Sequence, residues 1–368
     1  MSVKILALGD AHFMVSNTRE MKVFLDKLRG YLEKESNKFD AIVILGDVLD
    51  SHERLHVTPL NQAIEYVRLC SSYKQTYVLV GNHDSTNNSI FLSTDHWINC
   101  LKHWPQVSVV DTVQVFHFRD LKVVMSPYVP DGRFIEALNT RKGEWEDARV
   151  IFSHVTIKGA DMGNMIAKDA DAWDEKYPLL VSGHIHKNQW LSSNMYYTGS
   201  IMQVAVDESP KKSISIIDIP PSGKVEVTPI DLVLPKKEII HVSAEEIDDF
   251  KLPCAPETKY TLYVSGSCEQ FRAFRKSTKF QELAKEPQLG RRIRHKPNRL
   301  EKQEKAAHIE ELKKSRQKLF TELLREEVDR ENDELLTAFY KHLVNDEEDL
   351  SAMLDDVLVI TPKGEGTK

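Results

Sequence analysis

Histidine, aspartate and asparagine recur in short motifs across the first half of the chain. The motifs are GDAH at 9–12, GDVLD at 46–50, GNHD at 81–84, SH at 153–154 and GHIH at 183–186. Carboxylate oxygen, amide oxygen and imidazole nitrogen are ligands of Mn, Fe, Zn or Mg ions. Any one motif occurs by chance, and two histidines one residue apart could simply lie at an exposed turn. Together the motifs predict a metal site.

Two divalent ions would give this site a definite chemistry. Ions about 3.5 to 4 Å apart can clamp the attacking and leaving oxygens of a phosphoryl transfer and lower the pKa of a bound water toward about 7. The motifs therefore indicate hydrolysis of phosphate esters. The glycines at 9, 46, 81 and 183 permit tight turns just before the ligands. A scaffold that retains metal only for stability is the non-enzymatic alternative, and the full set of ligands argues against it.

Short apolar, β-rich runs precede these motifs and alternate with helical patterns. The runs lie at 3–8, 41–45, 76–80, 121–125, 150–152, 179–181 and 214–219. Between them, MKVFLDKLRGYLEKES and NQAIEYVRLCSSY carry apolar residues at helical spacing. The alternation predicts an α/β fold whose sheets are covered on both faces. Ligands collect at the carboxyl ends of strands in such sheets, so we expect the motifs to converge.

The pattern changes near residue 220, which divides the chain into three predicted parts. Residues 1–235 form the α/β domain. Residues 236–297 contain two strand patterns, the helical stretch CEQFRAFRKSTKFQELAK and a closing strand around GRRIRHK, which together predict a small α+β module. Residues 298–368 lack glycine and proline as far as Pro362 and predict amphipathic helices followed by an acidic tail.

Composition is that of an ordinary globular protein. The chain has 368 residues, 41% hydrophobic and 29% charged, and no apolar run approaches the length of about 20 residues that a membrane span needs. No signal peptide is evident, so we expect a cytoplasmic or nucleoid-associated protein without membrane contact. The four cysteines form no CxxC pair, which indicates reduced structural thiols.

The net charge of -7 conceals a basic block. Residues 272–318 contain 16 Lys and Arg against 6 Glu. Such a block indicates either contact with a polyanion or the solvated face of a helix.

The ordered set DxH, GDxxD, GNHD, H and GHxH resembles the calcineurin-like metallophosphoesterase superfamily. The resemblance implies a four-layered αββα sandwich with two divalent ions, which we expect to be Mn²⁺, with Mg²⁺ as the alternative. The stretches GDVLDS, VGNHDS, SGHIHKNQ and YYTGSIMQVAVDES also resemble the SbcD type of DNA-repair exonuclease, which is related to the eukaryotic meiotic recombination eleven nuclease. This similarity covers residues 1 to about 220 well and the remainder only in outline.

The family pattern implies a role for each motif residue. It implies one ion held by Asp10, His12, Asp47 and His186. It implies a second ion held by Asp47, Asn82, His154 and His184, so that Asp47 is shared.

The resemblance also implies that His83 lies beside the ions and either protonates the leaving 3′ oxygen or stabilises the phosphate charge. It implies that Asp84 holds the His83 ring. Asp50 stands where archaeal and eukaryotic members have histidine, as in the bacterial SbcD type. It either orients a ligand or caps the following turn. His52 either replaces the missing histidine or is a solvated loop residue.

The substrate is not specified by the centre itself. The resemblance implies a DNA nuclease acting on duplex ends, with possible endonuclease activity, that works with an SMC-like ATPase of the SbcC type in double-strand-break repair, recombination or replication. A phosphodiesterase of small nucleotides or a phosphoprotein phosphatase is the alternative. The basic residues that would suit contacts with the DNA backbone are Arg291, Arg292, Arg294 and Lys296.

Two features of the C-terminal third are open to more than one interpretation. Phe271, Phe274 and Phe280 form either the apolar face of a helix or platforms for stacking bases. The leucines beyond Asn298 would serve either in binding the ATPase partner or in a coiled-coil contact within a homodimer. We expect both an ATPase partner and a homodimer.

Overall fold

A computed structural model describes most of the chain. The described residues are 2–163, 165–253, 255, 257–289, 292–297, 313–315, 320, 323–326, 328 and 330. The predicted helices of 298–368 lie almost entirely outside these residues, so that prediction stays untested. Within the described part, no helix combines the length and the apolar character that crossing a membrane requires.

The first sheet has six strands and contains the N-terminus of the fold. Its strands are β1 (Val3–Leu8), β2 (Ala41–Ile44), β3 (Thr76–Leu79), β4 (Val107–Val110), β11 (Ile214–Ile219) and β12 (Glu226–Ile230), in the order β12-β11-β1-β2-β3-β4. The strands β1 to β4 are parallel, whereas β11 and β12 run antiparallel to their neighbours. Because consecutive strands are parallel, long connections must return the chain between them, and those after β1 and β2 each contain an α-helix.

The second sheet also has six strands. They are β5 (Gln114–Phe118), β6 (Leu121–Met125), β7 (Val150–Ser153), β8 (Leu179–Ser182), β9 (Gln189–Ser192) and β10 (Met195–Tyr197), in the order β5-β6-β7-β8-β10-β9. Its four central strands are parallel, and antiparallel strands close both edges. The apolar runs of the sequence correspond to β1, β2, β3 and β11 of the first sheet and to β6, β7 and β8 of the second. The edge strands β4, β5 and β9 and the short central strand β10 were missing from the sequence prediction.

Three apolar layers pack the two sheets against each other and against helices. Successive residues of β1 point to opposite faces, so that Ile5 and Ala7 lie between the sheets while Leu6 and Leu8 face helices α1 (Thr18–Glu35) and α2 (Val57–Tyr73). A third layer covers the far face of the second sheet, where α3 (Phe134–Leu138) packs. The layers therefore stack in the order helices, first sheet, second sheet, helix. This order confirms the predicted α/β four-layered sandwich.

A third, three-stranded sheet follows in sequence. It contains β13 (Lys236–Ser243), β14 (Thr258–Gly266) and β15 (Ile293–Pro297). The single predicted helix of 268–285 is two helices, α4 (Cys268–Lys276) and α5 (Thr278–Lys285). The break occurs because the Ser277 side chain accepts a hydrogen bond from the backbone N–H of Phe280 and so caps α5.

The chain divides into two compact units. The first comprises residues 1–242, 246–264 and 276–294, and the second comprises 243–245, 265–275 and 295–368. The predicted boundaries after residues 235 and 297 stay predictions.

Candidate metal centre

The motif residues lie directly beyond the ends of five parallel strands. Those that follow the first sheet are Asp10, His12, Asp47, Asn82 and His83, and those that follow the second are His154, His184 and His186. All are buried except the partly buried His83, His184 and His186. The two sheets present these carboxyl ends at the same edge of the sandwich, which is why residues distant in sequence meet there.

The first group of potential ligands surrounds His12. Its Nε2 lies 2.9 Å from His186 Nε2 and 3.6 Å from Asp47 Oδ2. Asp10, His12 and Asp47 each offer a ligand atom within 4.8 Å of the others. Four residues are therefore brought together in the combination that the family pattern implies for one ion.

The second group surrounds Asn82. Its Oδ1 lies 3.0 Å from both His154 Nε2 and His184 Nδ1, and these two nitrogens are 3.2 Å apart. The Asn82 amide nitrogen donates to Asn88 Oδ1 at 3.2 Å, an arrangement that keeps the amide oxygen toward the histidines. His154 Nε2 also lies 3.3 Å from Asp47 Oδ2. Asp47 thus joins both groups through one oxygen atom.

The backbone around Asp47 is tightly constrained. A Cβ atom on Gly81 would overlap Asp47 Oδ1 and its backbone nitrogen, and one on Gly46 would lie 2.6 Å from His154 Nδ1. His12 and Asp47 both have φ of 47°, and His184 has φ of 75°. Such left-handed conformations are unfavourable for residues with side chains and are retained mainly at functional sites. Three of the eight non-glycine residues with positive φ in the described part of the chain are therefore motif residues.

The charges of the two groups are strongly coupled. Burial by itself lowers the pKa of His12 and His154, but the neighbouring carboxylates outweigh it and raise both pKa values. Burial would raise the pKa of Asp47, yet His154 and His12 lower it. Burial and the neighbouring His154 lower the pKa of His184 to about 3. The pKa of His184 is therefore lowered while the pKa values of His12 and His154 are raised.

These residues fit a pair of divalent ions. Asp10 is fully buried, and its Oδ2 has no hydrogen-bond partner among the described residues. The contacts of 2.9 Å and 3.2 Å between imidazole nitrogens equal the separation of adjacent ligands around an ion with bonds of about 2.1 Å. An all-oxygen-and-nitrogen donor set of this kind suits Mn, Fe, Zn or Mg.

Asp50 and His83 occupy the rim of the first group. His83 Nδ1 lies 2.8 Å from the carbonyl oxygen of Asp50, and its backbone N–H donates to Asp47 Oδ1 at 2.9 Å. The Asp50 carboxylate lies 3.0 Å from His12 Nδ1. Of the two roles considered for Asp50, orientation of a ligand agrees with this contact. His52 stacks on His83 with ring centroids 4.9 Å apart and has no contact with the ligand groups among the described interactions.

The predicted role of Asp84 requires correction. Its carboxylate does not hold the His83 ring but accepts hydrogen bonds from Trp97 Nε1 and from the backbone N–H groups of Val48, Leu49 and Gly81. Asp84 therefore fixes the loop that carries Asp47, while the Asp50 carbonyl orients His83. The sequence could not predict that the Asp50 carbonyl oxygen, and not the Asp84 carboxylate, orients His83. Every residue has a backbone carbonyl oxygen, so residue types do not show which one accepts a hydrogen bond.

A further acidic residue near the centre was missed. Glu208 Oε1 lies 2.9 Å from His186 Nδ1. Burial would raise the pKa of Glu208, but His186 and Lys212 lower it to about 2. Glu208 lies within the stretch that carries the SbcD resemblance, yet a lone glutamate 22 residues after His186 gave no spacing signal.

The predicted DNA-binding residues have different environments. Arg291 lies outside the described residues. The Arg292 guanidinium donates to the carbonyl oxygens of Tyr260 and Gln288, so its hydrogen bonds stabilise the fold. Arg294 and Lys296 are exposed at alternate positions of β15. Phe274 is buried and Phe271 stacks on His295 with centroids 4.8 Å apart, which agrees with the helix-face interpretation of these aromatics.

A cavity of about 790 Å³ lies beside His184 and His186, the two ligand candidates that follow β8. Its lining includes His184 and His186 together with Lys187, Lys211 and Met162. The volume lies within the range of small-molecule sites, about 300 to 1,000 Å³. Substrate can therefore reach the two histidines from solvent.

A family model described as Calcineurin-like phosphoesterase matches residues 3–188. The chain belongs to this family. Among curated proteins, "Putative phosphoesterase 078R" of Invertebrate iridescent virus 3 is 38% identical over 288 residues, which cover 77% of this chain and 82% of the relative. "Putative phosphoesterase 244L" of Invertebrate iridescent virus 6 is 36% identical over 278 residues, which cover 74% of this chain and 98% of the relative.

Family membership supports a phosphoesterase hydrolase that uses divalent metal ions. A hypothetical protein from Thermus thermophilus aligns with a TM-score of 0.34 and 11% identity, over 62% of this chain and 98% of the other. A structural similarity this weak does not bear on the substrate of the phosphoesterase.

Proposed function

We propose that this phosphoesterase is a metal-dependent DNA nuclease. It hydrolyses phosphodiester bonds at duplex ends, and the same centre also serves for endonuclease cleavage. The observation that carries the proposal is the position of His83, whose ring centroid lies 5.0 Å from that of the potential ligand His12. A proton donor beside the pair of ions would protonate the leaving oxygen of a nucleotide and so assist its departure.

Two bound divalent ions, proposed as Mn²⁺ with Mg²⁺ as the alternative, would supply a water of lowered pKa and neutralise charge on the phosphate. The proton donor is oriented by residues of the chain itself. Because a carbonyl oxygen only accepts hydrogen bonds, the contact with Asp50 places a proton on His83 Nδ1 and leaves Nε2 available to substrate. Burial lowers the pKa of His83, and an anionic phosphodiester beside the ring would favour the protonated form that can donate to the leaving 3′ oxygen.

DNA is proposed as substrate because exposed basic residues lie at the cavity and on β15. Lys187, which pairs with Asp161, and Lys211 line the cavity that contains His184 and His186, and Asp207 and Asp231 line it as well. Arg294 and Lys296 are exposed on β15 and make no hydrogen bond or ion pair among the described interactions. Cationic side chains attract the phosphate backbone without reading its sequence.

The proposal extends to partners. We infer that the helices predicted for 298–368 bind an SMC-like ATPase of the SbcC type and that the nuclease acts as a homodimer. Co-purification with that ATPase should occur with the full chain and be lost on removal of residues 298–368, provided that the shortened chain still binds Mn²⁺. Co-purification that persists would contradict the assignment to this segment.

A comparison of substrates tests the proposed function. Purified full-length protein with Mn²⁺ is given end-labelled linear duplex DNA, closed circular single-stranded DNA, cyclic dinucleotides, and a phosphopeptide. We expect nucleotides to be released from duplex ends, cleavage of the circle at a lower rate, and no release of phosphate from the peptide. An Asp47→Asn variant should abolish every activity, which excludes a contaminating nuclease.

One alternative has structural support and is an outcome of the same experiment. The cavity of about 790 Å³ is also large enough for a dinucleotide. Hydrolysis of cyclic dinucleotides without action on duplex DNA would replace the nuclease proposal with a phosphodiesterase of small nucleotides. Action on the phosphopeptide alone would identify a phosphoprotein phosphatase.

A further inference from the structure

Glu208 lies on the loop between β10 and β11, outside the five motifs that supply the predicted ligands. Its side chain is 19% exposed, and its two oxygens have different partners. Oε1 lies 2.9 Å from His186 Nδ1, and Oε2 accepts a hydrogen bond from Lys212 Nζ at 2.7 Å. A carboxylate in this position can only accept, so the shared proton resides on His186 Nδ1.

We propose that Glu208 is a positioning residue that fixes the tautomer and orientation of His186 so that its Nε2 is directed into the metal centre. This inference rests on the ligand set of the proposed function. With the proton held on Nδ1, the neutral ring keeps its lone pair on Nε2, the atom that lies 2.9 Å from His12 Nε2. A metal requires this lone pair. A carboxylate behind the ring also makes the imidazole a more basic ligand.

A carboxylate also lies behind a second histidine of the same group. His12 has the Asp50 carboxylate 3.0 Å from its Nδ1, as His186 has Glu208. The Nδ1 of His154 lies 2.7 Å from the carbonyl oxygen of Leu45, and the Asp10 carboxylate is more distant from it, at 3.4 Å. His12 and His186 therefore have the shorter carboxylate contacts.

Several donors hold the Glu208 carboxylate in place. Lys212 Nζ, whose side chain is 7% exposed, donates to Glu208 Oε2, to Ser200 Oγ at 2.8 Å and to the His186 carbonyl oxygen at 2.8 Å. The backbone N–H of Val204 donates to Oε2 at 3.1 Å. Lys212 therefore connects both ends of the Glu208–His186 contact, which restricts movement of the ring.

The loop that carries Glu208 is itself attached to a neighbouring strand. Gln203 Oε1 accepts from the backbone N–H of Lys237 at 2.7 Å, and Lys237 Nζ donates to the Gln203 carbonyl oxygen at 2.7 Å. The Gln203 amide nitrogen in turn donates to the Glu208 carbonyl oxygen at 2.9 Å. The position of Glu208 is thus determined on both its backbone and its side chain, as a supporting residue of a metal site needs.

The test uses Glu208→Gln, which keeps the length of the side chain and removes its charge. Titration of metal-free, full-length protein with Mn²⁺ in a calorimeter should show one of two binding steps weakened about 10- to 100-fold. The matched control is Glu136→Gln, which removes the charge of an exposed glutamate paired with Arg133. We expect the control to bind Mn²⁺ as the unchanged protein does.

A second readout requires neither metal nor activity. Long-range ¹H–¹⁵N spectra of histidine-labelled, metal-free protein should show His186 protonated on Nδ1, and a mixture of tautomers in Glu208→Gln. Because the spectrum of the unchanged protein is informative by itself, misfolding of the variant would not remove the test. A proton on Nε2 of His186, or unchanged Mn²⁺ affinity together with an unchanged tautomer in the variant, would overturn the proposal. Either result is independent of whether DNA is the substrate.

Discussion

His83 Nδ1 is hydrogen-bonded to the backbone carbonyl oxygen of Asp50 at a distance of 2.8 Å. The bond fixes the His83 ring beside the ligand groups. Because the acceptor is a backbone oxygen, substitution of the Asp50 side chain would not remove it. His83 is also linked to Asp47 only through its backbone N–H. Its side chain can therefore be removed without removing a predicted metal ligand.

Replacing His83 with alanine should slow the chemical step and leave metal binding intact. Loss of a positioned proton donor should lower kcat by a factor of about 10² to 10⁴. Single-turnover cleavage of duplex DNA gives the rate, and calorimetry with Mn²⁺ gives the affinity, which should change less than about twofold. His52→Ala is the matched control because His52 stacks on His83 and lies 3.2 Å from the Ser85 carbonyl oxygen without contacting a predicted ligand among the described interactions, and it should retain most of the rate. Full activity of His83→Ala would rule out the assigned role.

Replacing Asp47 with asparagine should reduce metal content more than any other single ligand change. Asp47 Oδ2 lies within 3.6 Å of His12 and 3.3 Å of His154, so its charge serves both groups. Elemental analysis after dialysis against Mn²⁺ should show a fall from two ions per chain to one or none. Asp174→Asn, an exposed change paired with Lys176, should keep both ions. Retention of two ions by Asp47→Asn would refute a shared ligand.

Replacing Gly81 with alanine should disrupt the centre and the fold together. The added Cβ would overlap Asp47, and the surrounding backbone is buried on all sides. We expect a loss of unfolding free energy of more than about 1 kcal/mol and weaker Mn²⁺ binding. Gly30→Ala is the matched control because nothing lies within 4 Å of its added Cβ within α1. It should stabilise the helix by about 0.5 to 1 kcal/mol, as urea unfolding would show.

Replacing Arg294 and Lys296 together with glutamine should weaken DNA binding and reduce its salt dependence. If both side chains contact phosphates, the slope of log K against log salt should fall by about 1.8. Fluorescence anisotropy with a labelled duplex at several salt concentrations measures this slope. Lys27→Gln with Lys34→Gln on α1 removes the same charge from exposed positions and should leave the slope unchanged. An equal effect of both pairs would identify nonspecific charge as the cause.

Removing His96 should reduce the loss of stability of the metal-free protein in mild acid. Burial lowers the pKa of His96, although Asp111, 3.4 Å from its Nε2, opposes this effect. Because the folded-state pKa lies below the ordinary value of about 6.5, the contribution of His96 is present above that pH and is lost as pH falls. Urea unfolding at pH 7.5 and pH 5.5 should therefore show a smaller difference for His96→Gln than for the unchanged protein. The exposed His103→Gln serves as control, and an undiminished difference for His96→Gln would contradict the argument.

The sequence predicted the elements that position the centre because their signals are local. The run at 3–8 is apolar at every position except Lys4, and it is β1 of the structure. The short outer strands gave no such signal. Strand β5, for example, has no fully buried residue, so its burial does not impose a pattern on its residue types.

The site was predicted as a set of residues but not as a set of contacts. Asp10, Asp47 and His154 converge because strand ends converge, a rule that needs only the fold class. The roles of Asp50, Asp84 and Glu208 depend instead on backbone atoms and on loops whose course is determined by tertiary packing. Left-handed backbone conformations at His12 and His184 likewise depend on their surroundings and not on residue type.

The origin of the ligands has a mechanical consequence. Asp47 comes from the first six-stranded sheet and His154 from the second, and their side chains lie 3.3 Å apart. An ion bound to both would cross-link the two halves of the sandwich at one edge. Part of its binding energy would then oppose their separation. Chelation would weaken the fold at the seam between the sheets before it affected either sheet alone.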